Sequence, residues 1–248
     1  MQRREEDAFV WPRVKLLAPG ALRRWFAAGW ADLAAAPGPS LFYGATLALM
    51  GFLLTQHFGG AVGIALTTGF LLVGPFVAIG LYELSRRRER HEPARLAPSL
   101  VAWRANLPAI GFYALVLTLM LAAWIRVSVV VVALFFPGGR IDWAAPDTWA
   151  FAAAYAAAGG ALALFVFATS SLSLPLLLDR RDMDTITAAI VSFNALRANF
   201  ATMLVWAACI VALTAAGFAT YYVGLVVALP LIGHMTWHAY RESVAPHG

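Results

Sequence analysis

The sequence predicts an all-α fold, a polytopic membrane bundle of six transmembrane helices, and three observations carry that prediction. Hydrophobic residues make up 61% of the 248 and charged residues 12%, about half the charged share that keeps an ordinary globule in solution. The apolar residues gather in six long blocks. The basic residues crowd every second connection between those blocks. Together these features exclude a soluble enzyme, a disordered chain and a fibre.

The blocks run over 40–56, 61–84, 105–125, 155–178, 199–217 and 220–239, each within the roughly 17 to 25 residues that cross a bilayer. No water in the hydrocarbon can satisfy a free backbone group, so each block is expected to be a helix. They form one domain, 21–241, between an N-terminal tail, 1–20, and a C-terminal tail, 242–248. The opening MQRREEDAFVWPRVKLLAPG lacks the continuous apolar core of a cleavable signal peptide, so the first block is expected to act as an uncleaved signal-anchor.

Orientation follows from arginine placement. Of the 18 Lys and Arg, all but Arg126 and Arg140 fall before the first block, between the second and third, between the fourth and fifth, or after the sixth. The positive-inside rule then puts both termini in the cytoplasm. The same rule accounts for the net charge of +5 without a nucleic-acid partner. Trp25, Trp30, Trp103, Tyr82 and Trp237 are expected at the inner headgroup level, and Trp124, Trp143, Trp149, Tyr221 and Tyr222 at the outer one. The run VSVVVVALFF after Arg126 is too short to cross again, and reads as a segment in the outer interface ended by Pro137-Gly138-Gly139.

An internal repeat is visible. GFLLVGPFVAIGLYELSR from Gly69 overlays GLVVALPLIGHMTWHAYR from Gly224 without a gap, matching Pro75 with Pro230 and Arg86 with Arg241. Before the odd-numbered blocks stand WADL from Trp30, RANL from Arg104 and RANF from Arg197. These suggest three parallel helical-hairpin repeats around an axis normal to the membrane, each preceded by a cytoplasmic amphipathic helix. Leu22, Trp25, Phe26 and Leu33 share one helical face, as do Leu96, Leu100, Trp103 and Leu107, and Met183, Ile186, Ile190 and Phe193. Such faces suit helices lying on an anionic leaflet and equally suit linkers packed on the bundle.

At GFLLVGPFVAIGLYELSRRRE, with GWADLAAAPGPSLFYG upstream and PLIGHMTWHAYR near the end, the chain resembles the family called domain of unknown function 2189. These are prokaryotic integral membrane proteins, some labelled cytochrome c oxidase subunits. The resemblance spans Trp25 to Arg241 and implies a six-helix inner-membrane protein. It supplies no catalytic residue. The oxidase label fails for a catalytic subunit, because His57 and His234 fall at opposite membrane faces and cannot share a haem iron.

Few polar groups remain as candidates. His234 and His238 project from one helical face, and the repeat brings Glu83 to the position of His238, so a divalent metal has a chemically reasonable ligand set there. Interfacial packing or interhelical hydrogen bonding is the competing reading of the two histidines, and an ion pair with Arg86 or Arg87 that of Glu83. Arg126 is expected at the outer surface, pairing with Asp142 or Asp147, or binding an anion if it faces the bundle interior. Pro75, Pro175 and Pro230 free the carbonyls of Leu71, Ser171 and Val226, as static kinks or as a gate. Gly59 and Gly63 would permit close helix approach. Cys209 stands alone and has no partner for a disulfide.

No phosphate loop or nucleophile elbow appears, so enzymatic activity and a cofactor are not expected. The residues favour an auxiliary or assembly component of a membrane complex. Its partners would be membrane lipids, membrane proteins or further copies of itself. A carrier or channel for a small amphiphile or ion is the alternative. A metal- or haem-associated respiratory protein is the third.

Overall fold

The structure is a computed structural model that describes residues 11–58, 65–66, 74, 78–138, 141, 144 and 146–245. The helices are α1 (Ala21–Ala35), α2 (Pro37–His57), α3 (Ile79–Glu89), α4 (Leu96–Leu100), α5 (Leu107–Phe135), α6 (Thr148–Ser170), α7 (Ser173–Asp179), α8 (Thr185–Ala198), α9 (Phe200–Ala219) and α10 (Leu225–Ser243), with a 3-10 turn, Ala102–Asn106, leading into α5. The described residues are helical apart from turns, irregular connections and one isolated antiparallel bridge, Val14 to Val244.

Four segments are long and apolar enough to cross a membrane: Pro37–His57, Ala102–Phe135, Thr148–Asp179 and Phe200–Ala219. They correspond to the first, third, fourth and fifth blocks, so four candidate spans stand against the six expected. The second block, with Pro75, lies mostly outside the described residues, as do Gly59 and Gly63. The sixth block does form α10, but His234, His238, Arg241 and Glu242 make the second half of that helix too polar to count.

The third block required a larger correction. It does not end at Ile125; α5 runs unbroken through Arg126 and the valine run to Phe135. At 1.5 Å per residue it is about 43 Å long, more than a hydrocarbon core of about 30 Å. Trp124, Ser128 and Val132, one face of the helix, are buried. Ser128 meets the Tyr155 hydroxyl at 2.6 Å, and Gly159 of α6 leaves room for the Trp124 ring, which a Cβ there would approach to 2.9 Å. The VSVVVVALFF run is thus the end of a packed helix.

The fourth block breaks instead of kinking. α6 stops at Ser170, and Pro175 sits in the first turns of α7, where its missing N–H costs little. Polar side chains close the gap: the Leu172 N–H donates to Ser192 Oγ at 3.2 Å, and Tyr113 donates to the Thr169 carbonyl at 2.8 Å. Pro230 does sit inside α10. The carbonyl of Val226 that it frees lies directly against Gly44 of α2, where a Cβ would come within 2.0 Å of it.

The even and odd segments differ in burial. In the most apolar window of Thr148–Asp179, 61% of residues are buried, against 33% for Pro37–His57 and 22% each for Ala102–Phe135 and Phe200–Ala219. α3, α7 and α10 pack on one another at the arginine-rich end of the molecule. Leu174, Leu177, Leu178 and Trp237 are fully buried in one cluster there, and Leu81 and Leu84 in a second beside Tyr43 of α2. α2, α5 and α9 stand outside; α5 and α9 each pack on the even helix that follows, whereas α2 packs chiefly on α10.

The expected aromatic belts hold only in part. Trp30, Trp149 and Tyr221 are exposed, whereas Trp25, Tyr82, Trp124 and Trp237 are core residues. Two of the buried rings satisfy their indole N–H inside the protein, Trp25 on Glu242 at 2.8 Å and Trp237 on Glu89 at 3.1 Å. Trp143 lies outside the described residues.

Candidate functional site

The polar side chains that sequence alone scatters along the chain converge where α3, α7 and α10 end. His234 is wholly buried; its Nε2 lies 2.9 Å from Ser40 Oγ and its Nδ1 2.7 Å from Ser85 Oγ. One turn further along α10, His238 Nε2 lies 2.8 Å from Asp32 Oδ2, whose other oxygen accepts from Arg88 at 2.7 Å. Burial acts to raise the Asp32 carboxyl, but its hydrogen bonds with His238 and Ser85 outweigh that and hold it below the ordinary value. Glu83 accepts from its helix neighbours Arg86 at 2.8 Å and Arg87 at 2.9 Å.

His234, His238 and Glu83 therefore each engage a different partner. Among the described residues no group of three or more His, Cys, Asp or Glu is gathered as metal ligands would be. His57 is exposed at the far end of α2, its Nδ1 on the Leu53 carbonyl, about 25 Å along that helix from Ser40 at 1.5 Å per residue. Arg126 is exposed and makes no ion pair with Asp147; Asp142 lies outside the described residues. Cys209 is half-buried and free.

Two rings of contacts organise the cluster. In the first, the arginine ending each even helix reaches the end of the next even helix along the chain. Arg86 of α3 donates to the Leu178 carbonyl of α7 at 3.2 Å. Arg180, after α7, donates to the Ala245 carbonyl, after α10, at 2.7 Å. Arg241 of α10 donates to Glu89, the last residue of α3, at 2.9 Å. Asp179 is braced within this ring by Arg241 at 3.3 Å and by Tyr240 at 2.8 Å.

The second ring uses the third residue of WADL, RANL and RANF. Asp32, Asn106 and Asn199 are all buried. Asp32 holds Arg88, which lies near the end of α3 and so within the same hairpin. Asn106 donates to the Met183 carbonyl, before α8, at 2.9 Å. Asn199 donates to the Lys15 carbonyl at 3.0 Å and accepts from the Leu17 N–H at 2.8 Å, both before α1. The two tails also pair, Lys15 N–H on the Ser243 carbonyl at 2.8 Å and Ala245 N–H on the Arg13 carbonyl at 2.9 Å.

Sequence reasoning set WADL, RANL and RANF side by side as repeat markers without singling out Asp32, Asn106 and Asn199. A polar residue at one position of three aligned, otherwise apolar segments was the available signal. Asp179 and Glu89 carried no such mark.

These helix ends, from α3 to α7, fall within a segment that other proteins share. Residues 63–179 match the family DUF2189, predicted integral membrane protein. The family resemblance read from the sequence is thus found, over a shorter stretch than Trp25 to Arg241: the WADL segment and α10 lie outside it. No curated relative and no solved structure matches the chain. The DUF2189 segment takes in α3 to α7, so Glu83, Arg86, Glu89, Asn106 and Asp179 lie in it, while Asp32, Asn199, His234 and His238 do not.

Proposed function

We propose that this chain is a non-enzymatic scaffold of the bacterial cytoplasmic membrane, an auxiliary or assembly component that acts through helix and lipid contacts. In this reading three helical hairpins cross the bilayer six times around a common axis. The arginine-rich end and both termini face the cytoplasm.

The observation that carries the reading is the first ring, which runs from first to second to third unit and back; in the second, Asn106 and Asn199 reach the following unit while Asp32 holds Arg88 within the first. Contacts that close in one rotational sense are what three pseudo-equivalent units around an axis would make. Leu174, Leu177, Leu178 and Trp237 fill the space where the even helices meet at this end, which favours a scaffold over a carrier with a polar path. Buried Asp32, Glu83, Arg180 and His234 each have hydrogen-bond partners inside the protein, as a rigid part requires. The scaffold needs no metal and no haem.

Gentle detergent extraction followed by mass spectrometry of retained proteins, lipids and cofactors tests this. Partner membrane proteins or a defined homo-oligomer is the expected result. A lone monomer carrying stoichiometric metal or a Soret band would overturn it. A reporter fused after Gly139 is expected outside the cell; a reporter found inside reverses the topology.

A further inference from the structure

α8 turns its faces the opposite way from a helix that merely packs on a bundle. Its small face, Ala188, Val191, Ser192 and Ala195, is fully buried, while Ile186, Ile190 and Phe193 are 66%, 42% and 44% exposed. The Arg197 guanidinium lies over the Phe193 ring, 5.9 Å from its centroid. The approach to α5 repeats this arrangement: Leu100 and Leu107 are exposed, with Arg104 over the Trp103 ring at 5.2 Å. On α1, Arg23 shares a face with Phe26 and Trp30, two exposed rings stacked 6.5 Å apart.

Charge is sorted between centre and rim in the same way. The carboxylates of Asp32, Glu83, Glu89, Asp179 and Glu242 pair with Arg86, Arg87, Arg88, Arg90, Arg241 and Arg24. Arg23, Arg104 and Arg197 have no carboxylate partner among the described residues. Each stands instead beside apolar side chains left outside the fold. A cation set in an exposed apolar rim matches a surface that is anionic at the headgroup and apolar beneath it.

We infer that Arg23, Arg104 and Arg197, with the rings beside them, form a collar of three sites for the phosphates of anionic phospholipids. This names the lipid partner of the scaffold and rests on that reading for which leaflet is bound.

The test uses full-length protein in uncharged detergent, mixed with phosphatidylglycerol or with phosphatidylcholine, the retained lipids being counted by native mass spectrometry. Wild-type protein is expected to keep phosphatidylglycerol in preference. R23Q/R104Q/R197Q is expected to lose that preference by about fivefold per arginine, the worth of a basic residue near an anionic surface, with phosphatidylcholine unchanged. R126Q removes the same charge about 30 Å further along the same helical segment and is expected to change nothing. Undiminished phosphatidylglycerol binding in the triple variant, or an equal loss in R126Q, overturns the collar. Should the triple variant misfold, R104K/R197K and the salt dependence of wild type decide: binding indifferent to salt overturns the proposal, since phosphate contacts by cations are screened. Failure of the scaffold reading would show in retained proteins and in the reporter, leaving these lipid counts unaffected.

Discussion

The two ends of this molecule are built on opposite principles. At the arginine-rich end, α3, α7 and α10 interlock through buried leucines, the Trp237 indole and the two rings of side-chain contacts. Beyond it, α2, α5 and α9 present long apolar flanks with few polar contacts. The arginine-rich end behaves as a protein core, in which volume is specified and most buried polar atoms are paired, Ser243 Oγ being an exception. The flanks behave as surfaces meant for an apolar solvent, where composition matters and individual residues do not. The difference shows where specificity resides in a membrane protein with so few charges: at the helix ends, where polar groups can be satisfied by one another.

Trp237 gives the largest contrast. It is fully buried among the even helices and donates to Glu89, so Trp237→Ala should cost about 3–5 kcal/mol, as large-to-small changes in cores do. Trp149→Ala, at a ring 85% exposed near the other end, should stay within about 0.5 kcal/mol. Thermal melts of both variants in detergent check this, and equal effects would break the comparison.

Glycine sharpens it further. At Gly44 a Cβ would meet the Val226 carbonyl at 2.0 Å, whereas at Gly160 nothing lies within 4 Å. Gly44→Ala must push α2 off the proline-freed carbonyl of α10, and about 1–3 kcal/mol is expected to be lost. Gly160→Ala, in the interior of α6, is expected to gain up to about 1 kcal/mol from helix propensity. The same melts read both signs.

The helices themselves were largely legible in the sequence, because length and apolar content decide them. The errors share a physical cause: hydropathy prices side chains against lipid and is blind to what a neighbour provides. Arg126 was read as the end of a span, yet an arginine on an exposed flank leaves the backbone ladder intact, and α5 continues past it. Trp25 and Trp237 were read as headgroup anchors, yet Glu242 and Glu89 accept their indole protons inside the fold. For α8 the period revealed two faces, and the close packing of Ala188, Val191 and Ala195 then buried the smaller one. At the site, the histidine pair was visible, but its partners Ser40, Ser85 and Asp32 come from other helices, which spacing along one helix cannot reveal.

The second ring offers the finest test, because one of its three members is charged and two are not. Asn106 and Asn199 donate amide protons to backbone carbonyls; Asp32 accepts from a guanidinium and faces His238. Replacing Asp32 by Asn makes the first member chemically like the other two. The oxygen that accepts from Arg88 survives, so the loss at neutral pH should be only about 1 kcal/mol, the net worth of one hydrogen bond. The pH dependence identifies its origin. Because the folded-state Asp32 carboxyl lies below its ordinary value of 3.8, its contribution is complete above that value and is lost as pH falls through the folded one. The gap in stability between wild type and D32N should therefore close in strong acid, as the Asp32 carboxyl takes up its proton, measured by parallel melts. Asn199→Asp runs the other way: it removes the donor to the Lys15 and Ala195 carbonyls and sets a carboxylate against them, so it should destabilise at pH 7 and recover on acidification. A stability gap for D32N that ignores pH would mean that the charge at Asp32 has no part in holding Arg88 and His238, and that shape alone closes the ring.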